Sequence, residues 1–232
     1  MTRASPPRTQ TKISETARQI AELRRILADG HVKRSPELIA MGIYPGSIAT
    51  ALREGVIQKL TFGAYQIAGA NVPPAHQALA SAAIRSSKGV ICLSSAAYLC
   101  GLIDELPPMV WLALPTGAHV PQQQGRTQSV INWAYRGAFE VGIVSDTLLG
   151  VPIRYTSAER TLVDLVRYAR YMRSDLVARD VMARFVQQGG DPARVMEVAQ
   201  ALPTPAVAMR GLEAILAPSL KPPAATNPPP PG

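Results

Sequence analysis

Cysteine is scarce in this chain, with only Cys92 and Cys100 among 232 residues. Neither has the His or Cys companions at ligand spacing that a zinc site needs, so buried free thiols are expected and no metal. Aromatic residues make up 5% and charged residues 17%. The three histidines, His31, His76 and His119, fall in three different predicted elements, none with an acid at catalytic spacing. No phosphate-cradling glycine loop or nucleophile elbow is present, and the stretch 117–125 carries glutamines where such a loop would need a lysine. The expectation is a protein that is not an enzyme and has no cofactor. A run of about 18 apolar residues, which a membrane-spanning helix requires, is also missing. The opening MTRASPPRTQTKISE lacks an apolar signal core, and a cytoplasmic protein with no membrane partner is expected.

Basic charge and proline are plentiful. Lys and Arg outnumber Asp and Glu by 24 to 16, and residues 1–70 hold ten of the former against five of the latter. Five of the net +8 charges therefore lie in the first third, where they suit a polyanionic partner. Proline and small polar residues mark both ends. Residues 1–13 are expected as a flexible arm that would either seek a groove or remain a plain tail, and 217–232 as a disordered Pro-rich tail.

The stretch SPELIAMGIYPGSIATALREGVIQKLTFGAYQI (35–67) organises the front of the chain. Ser35, Pro36 and Glu37 start a helix whose apolar face is Leu38, Ile39 and Met41, and Gly42 ends it. Pro45 opens a second helix with Ile48 and Leu52 inward and Gly46, Ser47, Ala49, Thr50 and Arg53 outward, closed by Gly55. Strands follow over 56–60 and 64–67, joined through Thr61, Phe62 and Gly63. An earlier helix over 14–28 places Ile20, Leu23, Ile26 and Leu27 on one side, and a brief strand over 31–34 precedes the short helices. The order predicts a winged helix-turn-helix over 14–70, with the Pro45 helix in the major groove of double-stranded DNA. On the helix that Pro45 opens, Ser47, Thr50 and Arg53 would reach the groove, with Arg53 the strongest base reader. Lys59, Thr61 and Phe62 on the wing would meet the backbone, and Lys33 and Arg34 would flank the duplex.

A boundary is expected at GANVPP (69–74), and a second domain over 75–216. It starts with a helix over 75–87 and a short strand over 89–93. Ser94 and Ser95 would cap a helix over 96–102. Strands are predicted at 109–114, 130–135, 141–144 and 151–155, and their spacing favours a mostly antiparallel sheet. From Thr156 onward the pattern is helical. Ser157 caps, Leu162, Val163, Leu165, Val166 and Ala169 form a stripe, and Asp164 stands at ion-pair spacing from Arg160 and Arg167. Further helices are predicted over 174–188, 191–202 and 206–216. Arg160, Arg167, Arg170 and Arg173 form either a basic ridge for DNA or an acidic partner, or an ordinary solvated face with Asp164 pairing two of them. The fold class is α+β, an N-terminal winged helix-turn-helix followed by a small sheet with a helical cap.

The 35–67 stretch, followed by LSSAAYLCGL at 93–102 and GVPIRYTSAERTLVDLVR at 150–167, resembles the AbiEi antitoxin family of type IV toxin-antitoxin systems across nearly all of residues 14–216. The resemblance implies a transcriptional autorepressor that binds inverted repeats in its own promoter, two copies together. It also implies a functional opponent, a nucleotidyltransferase-type toxin that is not held in a stable complex. Two departures from the family pattern are Tyr44, where a Ser or Thr cap is usual, and a recognition helix and wing with few basic residues. Two other readings stand beside this one: a stand-alone winged-helix transcription factor, and a protein-interaction module that does not bind DNA.

Overall fold

The computed structural model describes residues 8–106, 108–118, 128–133, 137–169 and 175–220. His119, Arg170, Arg173, the first seven residues and the tail from 221 lie outside them. The architecture is mixed α/β, in two compact units. The first comprises Met1–Ser87 with Ser145–Ile153, the second Lys88–Val144 with Arg154–Gly232.

In the first unit, α1 (Arg8–Ile26) is followed by β1 (Lys33–Arg34), α2 (Ser35–Ala40), α3 (Pro45–Arg53), β2 (Ile57–Thr61), β3 (Ala64–Ile67) and α4 (Pro74–Arg85). The strands form an antiparallel sheet in the order β1-β3-β2. Helices as short as α2 and α3 are not stable alone and depend on packing. That packing comes from Leu23 and Leu27 of the first helix and its extension, which are fully buried against Leu38, Ile43, Ile48, Ala51, Val56 and Ile57. A second cluster, Val32, Ala64, Ala80 and Val151, covers the opposite face of the sheet. Its outer strand residues come from a hairpin much later in the chain, whose Leu149 carbonyl accepts from the Val32 amide at 2.8 Å.

Several expectations change here. Helix α1 begins at Arg8, inside the segment predicted to be a flexible arm. The first unit runs past the GANVPP boundary to Ser87, because α4 packs on the sheet through Ala80 and through a Gln77 to Gln66 side-chain bond of 2.9 Å. Ser35 is the first residue of α2 rather than its cap, and the Glu37 carboxylate accepts from the Arg34 amide at 2.5 Å. Of the apolar face predicted for α2, only Leu38 is buried. Ile39 and Met41 are 47% and 51% exposed.

The second unit contains β4 (Val90–Ile91), α5 (Leu93–Leu99), β5 (Val110–Pro115) and β6 (Gln128–Trp133). It also holds α6 (Ala158–Arg167), α7 (Asp175–Gln187), α8 (Pro192–Ala201) and α9 (Ala206–Leu220). The hairpin of β7 (Ile143–Leu148) and β8 (Val151–Thr156) is shared: 145–153 group with the first unit and its base with the second. Its two-residue turn puts Leu149 and Gly150 both at positive φ, 52° and 76°, the geometry that matches strand twist in tight hairpins. The sheet order is β6-β5-β4-β8-β7. It is mixed rather than mostly antiparallel: β4 runs antiparallel to β5, but β4 with β8 and β5 with β6 are parallel. Ser94 and Ser95 sit inside α5, which starts at Leu93. They are buried, and the Ser95 Oγ accepts from the Trp111 amide at 2.9 Å. Helix α9 continues to Leu220, four residues into the predicted tail.

The centre of this unit is α6. Its Ser157 cap accepts from the Arg160 amide at 3.2 Å, and Leu162, Val163 and Leu165 are buried. Arg160 and Asp164 are also fully buried, with Nε donating to Oδ2 at 3.1 Å. The Arg160 Nη1 donates to the Phe139 carbonyl at 3.1 Å and to that of Val141. Gly142 lies against this arginine at φ +64°, and a Cβ there would stand 2.8 Å from the Arg160 Cβ. Cys92 is buried and Cys100 half-buried. Burial pushes the Cys100 thiol up to about 12, and it raises Cys92 well above its ordinary value, with the Asp164 charge adding to the effect.

Removing one partner of a buried ion pair strands the other charge, so Asp164→Ala is expected to cost about 3–5 kcal/mol in urea unfolding of the full chain. Gly142→Ala is expected to cost about 1–3 kcal/mol through its positive φ and the close Arg160 contact. Neither thiol should react with iodoacetamide at mildly alkaline pH until the chain is unfolded, since both are held as neutral thiols. Mass spectrometry of the native and urea-treated protein reads the difference.

Candidate nucleic-acid interface

The surface that α3 presents is set by how its N-terminus is held. Tyr44 is the N-cap residue and makes no side-chain cap. Gln19, buried on α1, holds the turn before the helix instead: its amide donates to the Gly42 carbonyl at 2.9 Å, and its Oε1 accepts from the Tyr44 amide at 2.8 Å. Pro45 then occupies the first turn, where its missing N–H costs nothing. With Ile48 and Ala51 turned into the core, the helix exposes Pro45, Gly46, Ala49, Leu52 and Arg53.

Two residues are therefore on the opposite side from the one the sequence suggests. Ser47 is buried at 4% exposure and does not reach the outer face. Leu52, predicted inward, is 37% exposed because Ala51 takes the inward position. Thr50 is half-buried, and its Oγ1 accepts from the Arg53 guanidinium at 3.3 Å, which steers the arginine along the helix.

The hairpin of β2 and β3 follows within a few residues of α3. In the sheet, Lys33 pairs with Tyr65 and Tyr65 with Lys59, so the two lysines flank one tyrosine in a row across three strands. Arg34 and Thr61 both pair with Ala64 on the neighbouring row. Arg34 is exposed and Thr61 half-buried. Phe62, at the hairpin tip, is 88% exposed, and the Lys59 ammonium lies 5.2 Å from its ring centroid. The Gly63 carbonyl beside it accepts from the Ser35 amide at 2.8 Å. Of the residues expected at the interface, Pro45, Thr50, Arg53, Lys59, Thr61, Phe62, Lys33 and Arg34 reach at least partial exposure in the first unit, and Ser47 does not.

Among the described residues, Arg160 does not contribute to the possible basic ridge. Arg160 is fully buried in the pair with Asp164, so its charge is spent inside the second unit. Arg167 is half-buried, donates to the Pro203 carbonyl at 2.9 Å and stacks over Tyr168. Arg170 and Arg173 lie outside the described residues. What the sequence reading missed is the apolar exposure of Ile39, Met41, Tyr44 and Leu52 around α3. Among the described residues no group of His, Cys, Asp and Glu could hold a metal ion, and no helix is long and apolar enough to cross a membrane.

No family model matches the chain, and no curated protein matches it. The structure is similar in fold to the crystal structure of the RV2827C protein from Mycobacterium tuberculosis. The two share 16% identity and a TM-score of 0.60 over 87% of this chain and 76% of that one.

The burial of Ser47 has a direct consequence. Ser47→Lys, which on an outward position would strengthen binding to a polyanion, is expected to lower the melting temperature, because it forces a charge into a closed site. Leu52→Ala, on the exposed side, should leave the melting temperature nearly unchanged in the same thermal scan.

Proposed function

We propose that the first unit is a winged helix-turn-helix DNA-binding domain and that the protein is a transcriptional repressor of its own promoter. The observation that carries this reading is α3 projecting from a helix, strand, helix, turn, helix, hairpin order, with Arg53 exposed at its end and Lys59 on the adjoining hairpin. The positive surplus of residues 1–70 supports it, since phosphate neutralisation supplies most of the sequence-independent affinity for DNA. In this arrangement α3 lies in the major groove and Arg53 reads a base edge. Lys59, Lys33 and Arg34 contact phosphates, and the β2–β3 hairpin is the wing. One arginine gives modest specificity, so two copies act on an inverted repeat.

The resemblance of the 35–67, 93–102 and 150–167 stretches to the AbiEi antitoxins extends the proposal. The protein acts in the cytoplasm as the antitoxin of a type IV system, opposes a nucleotidyltransferase-type toxin without a stable complex, and is not itself an enzyme. The exposed Ile39, Met41 and Tyr44 favour a second reading, in which this module docks on another protein. Gel shift with the duplex directly upstream of the chain's own reading frame, across a salt series, separates the two. Retention of the duplex with a steep salt dependence supports the repressor, and its absence at low salt supports the docking module. Co-expression with the adjacent gene product, scored by growth, tests the antitoxin role.

Arg53→Ala is expected to cost about 1–3 kcal/mol in specific binding, while Lys59→Ala weakens all sequences alike and reduces the salt slope by about one. Parent-like binding by both variants in fluorescence anisotropy would show that this face does not touch DNA.

A further inference from the structure

Phe62 is the most exposed large apolar side chain among the described residues, at 88%, and it sits at the tip of a hairpin rather than in a patch. Leaving a phenyl ring in water forgoes the favourable burial that its area offers, unless a partner takes it up. The turn that carries it is pinned. Thr61 pairs with Ala64 across the turn, Gly63 takes the positive φ of 66°, and the Gly63 carbonyl accepts from the amide of Ser35. Lys59 stands over one side of the ring at 5.2 Å, so the ring is presented beside a cation. Lys33 extends the positive charge along the same row of the sheet.

Length fits this tip to a groove. Strand β2 has five residues and starts just after the end of α3. At about 3.3 Å per residue the strand spans roughly 16 Å from its start to the tip. Half of the roughly 34 Å helical repeat of DNA, about 17 Å, separates a major groove from the next minor groove.

We propose that Phe62 is a wedge: with α3 in the major groove, the ring enters the adjacent minor groove and partly unstacks a base step, while Lys59 and Lys33 hold the flanking phosphates. The inference rests on the reading of the first unit as a DNA-binding domain and adds that binding deforms the duplex. Apolar wedges of this kind kink DNA, and pyrimidine–purine steps yield most readily, so the flank of the site gains sequence preference without hydrogen-bonded base contacts. A membrane surface is the less favoured partner for the tip, because one ring with two lysines supplies far less than stable bilayer anchoring takes.

The test uses the full chain and the duplex upstream of its own reading frame, with 2-aminopurine placed in turn at the steps flanking the footprint. The expected result is a rise in 2-aminopurine fluorescence at one flanking step on binding, with a circular-permutation gel shift reporting a bend. Phe62→Ala, on an exposed position, should keep the parent's melting temperature, lose both signals and bind about tenfold more weakly. Phe62→Leu should retain part of each. Binding by the parent with no fluorescence change at any step, or an unchanged bend with Phe62→Ala, overturns the wedge while leaving the repressor intact. Failure to retain any duplex overturns both. Phe62-dependent sedimentation with phosphatidylcholine and phosphatidylglycerol vesicles, without a DNA signal, overturns the wedge and assigns the tip to a lipid surface.

Discussion

One side-chain amide, that of Gln19, fixes the geometry on which the candidate interface depends. It donates to the Gly42 carbonyl and accepts from the Tyr44 amide, both in the turn between α2 and α3, with bonds of 2.9 and 2.8 Å. A turn of four residues between two short helices has few contacts of its own. Tying Gly42 and Tyr44 of that turn to the long first helix fixes it between the two short helices. The amide of Tyr44, the residue before α3, is thereby satisfied from outside the helix. The direction in which α3 projects is thus decided by a residue some 25 positions earlier.

The second unit solves a related problem in a different way. Its central helix α6 buries an arginine and an aspartate on the side where a hydrophobic stripe continues. The arrangement is tolerated because backbone carbonyls of Phe139 and Val141 accept from the guanidinium. Thr156 and Thr161 hydroxyls are bonded to each other nearby at 2.6 Å. Such an interior is intolerant of partial disruption, since each polar group removed leaves another desolvated.

How much of this was legible in the sequence depended on whether the deciding contact was local. The Ser157 cap and the buried Leu162, Val163 and Leu165 of α6 follow from rules that act within a few residues, and they stand where those rules put them. The i, i+4 spacing of Arg160 and Asp164 was visible as a pair, but not its burial, which depends on carbonyls about twenty residues upstream. In α3 the phase was off by one position: with Ile48, Ala49, Ala51 and Leu52 as apolar candidates in nine residues, Leu52 outranks the alanines by size, yet Ala51 is the one that fits against the core. Strand direction was missed for the same reason. Turn residues after β5 suggest a hairpin, whereas β5 and β6 run parallel. The exposed ring of Phe62 and its lysine neighbour were both read as interface residues, but the contact between them was not, and it lies beside a register shift between Lys59 and Thr61.

The late hairpin adds a constraint of another kind. Leu149 and Val151 complete the packing of Val32, Ala64 and Ala80, although more than fifty residues of the other unit intervene. A gene fragment ending anywhere before them would encode a front half with an open seam on its sheet. A single crossover between Ser87 and Ser145 would therefore draw the two pieces of one compact unit from different parents.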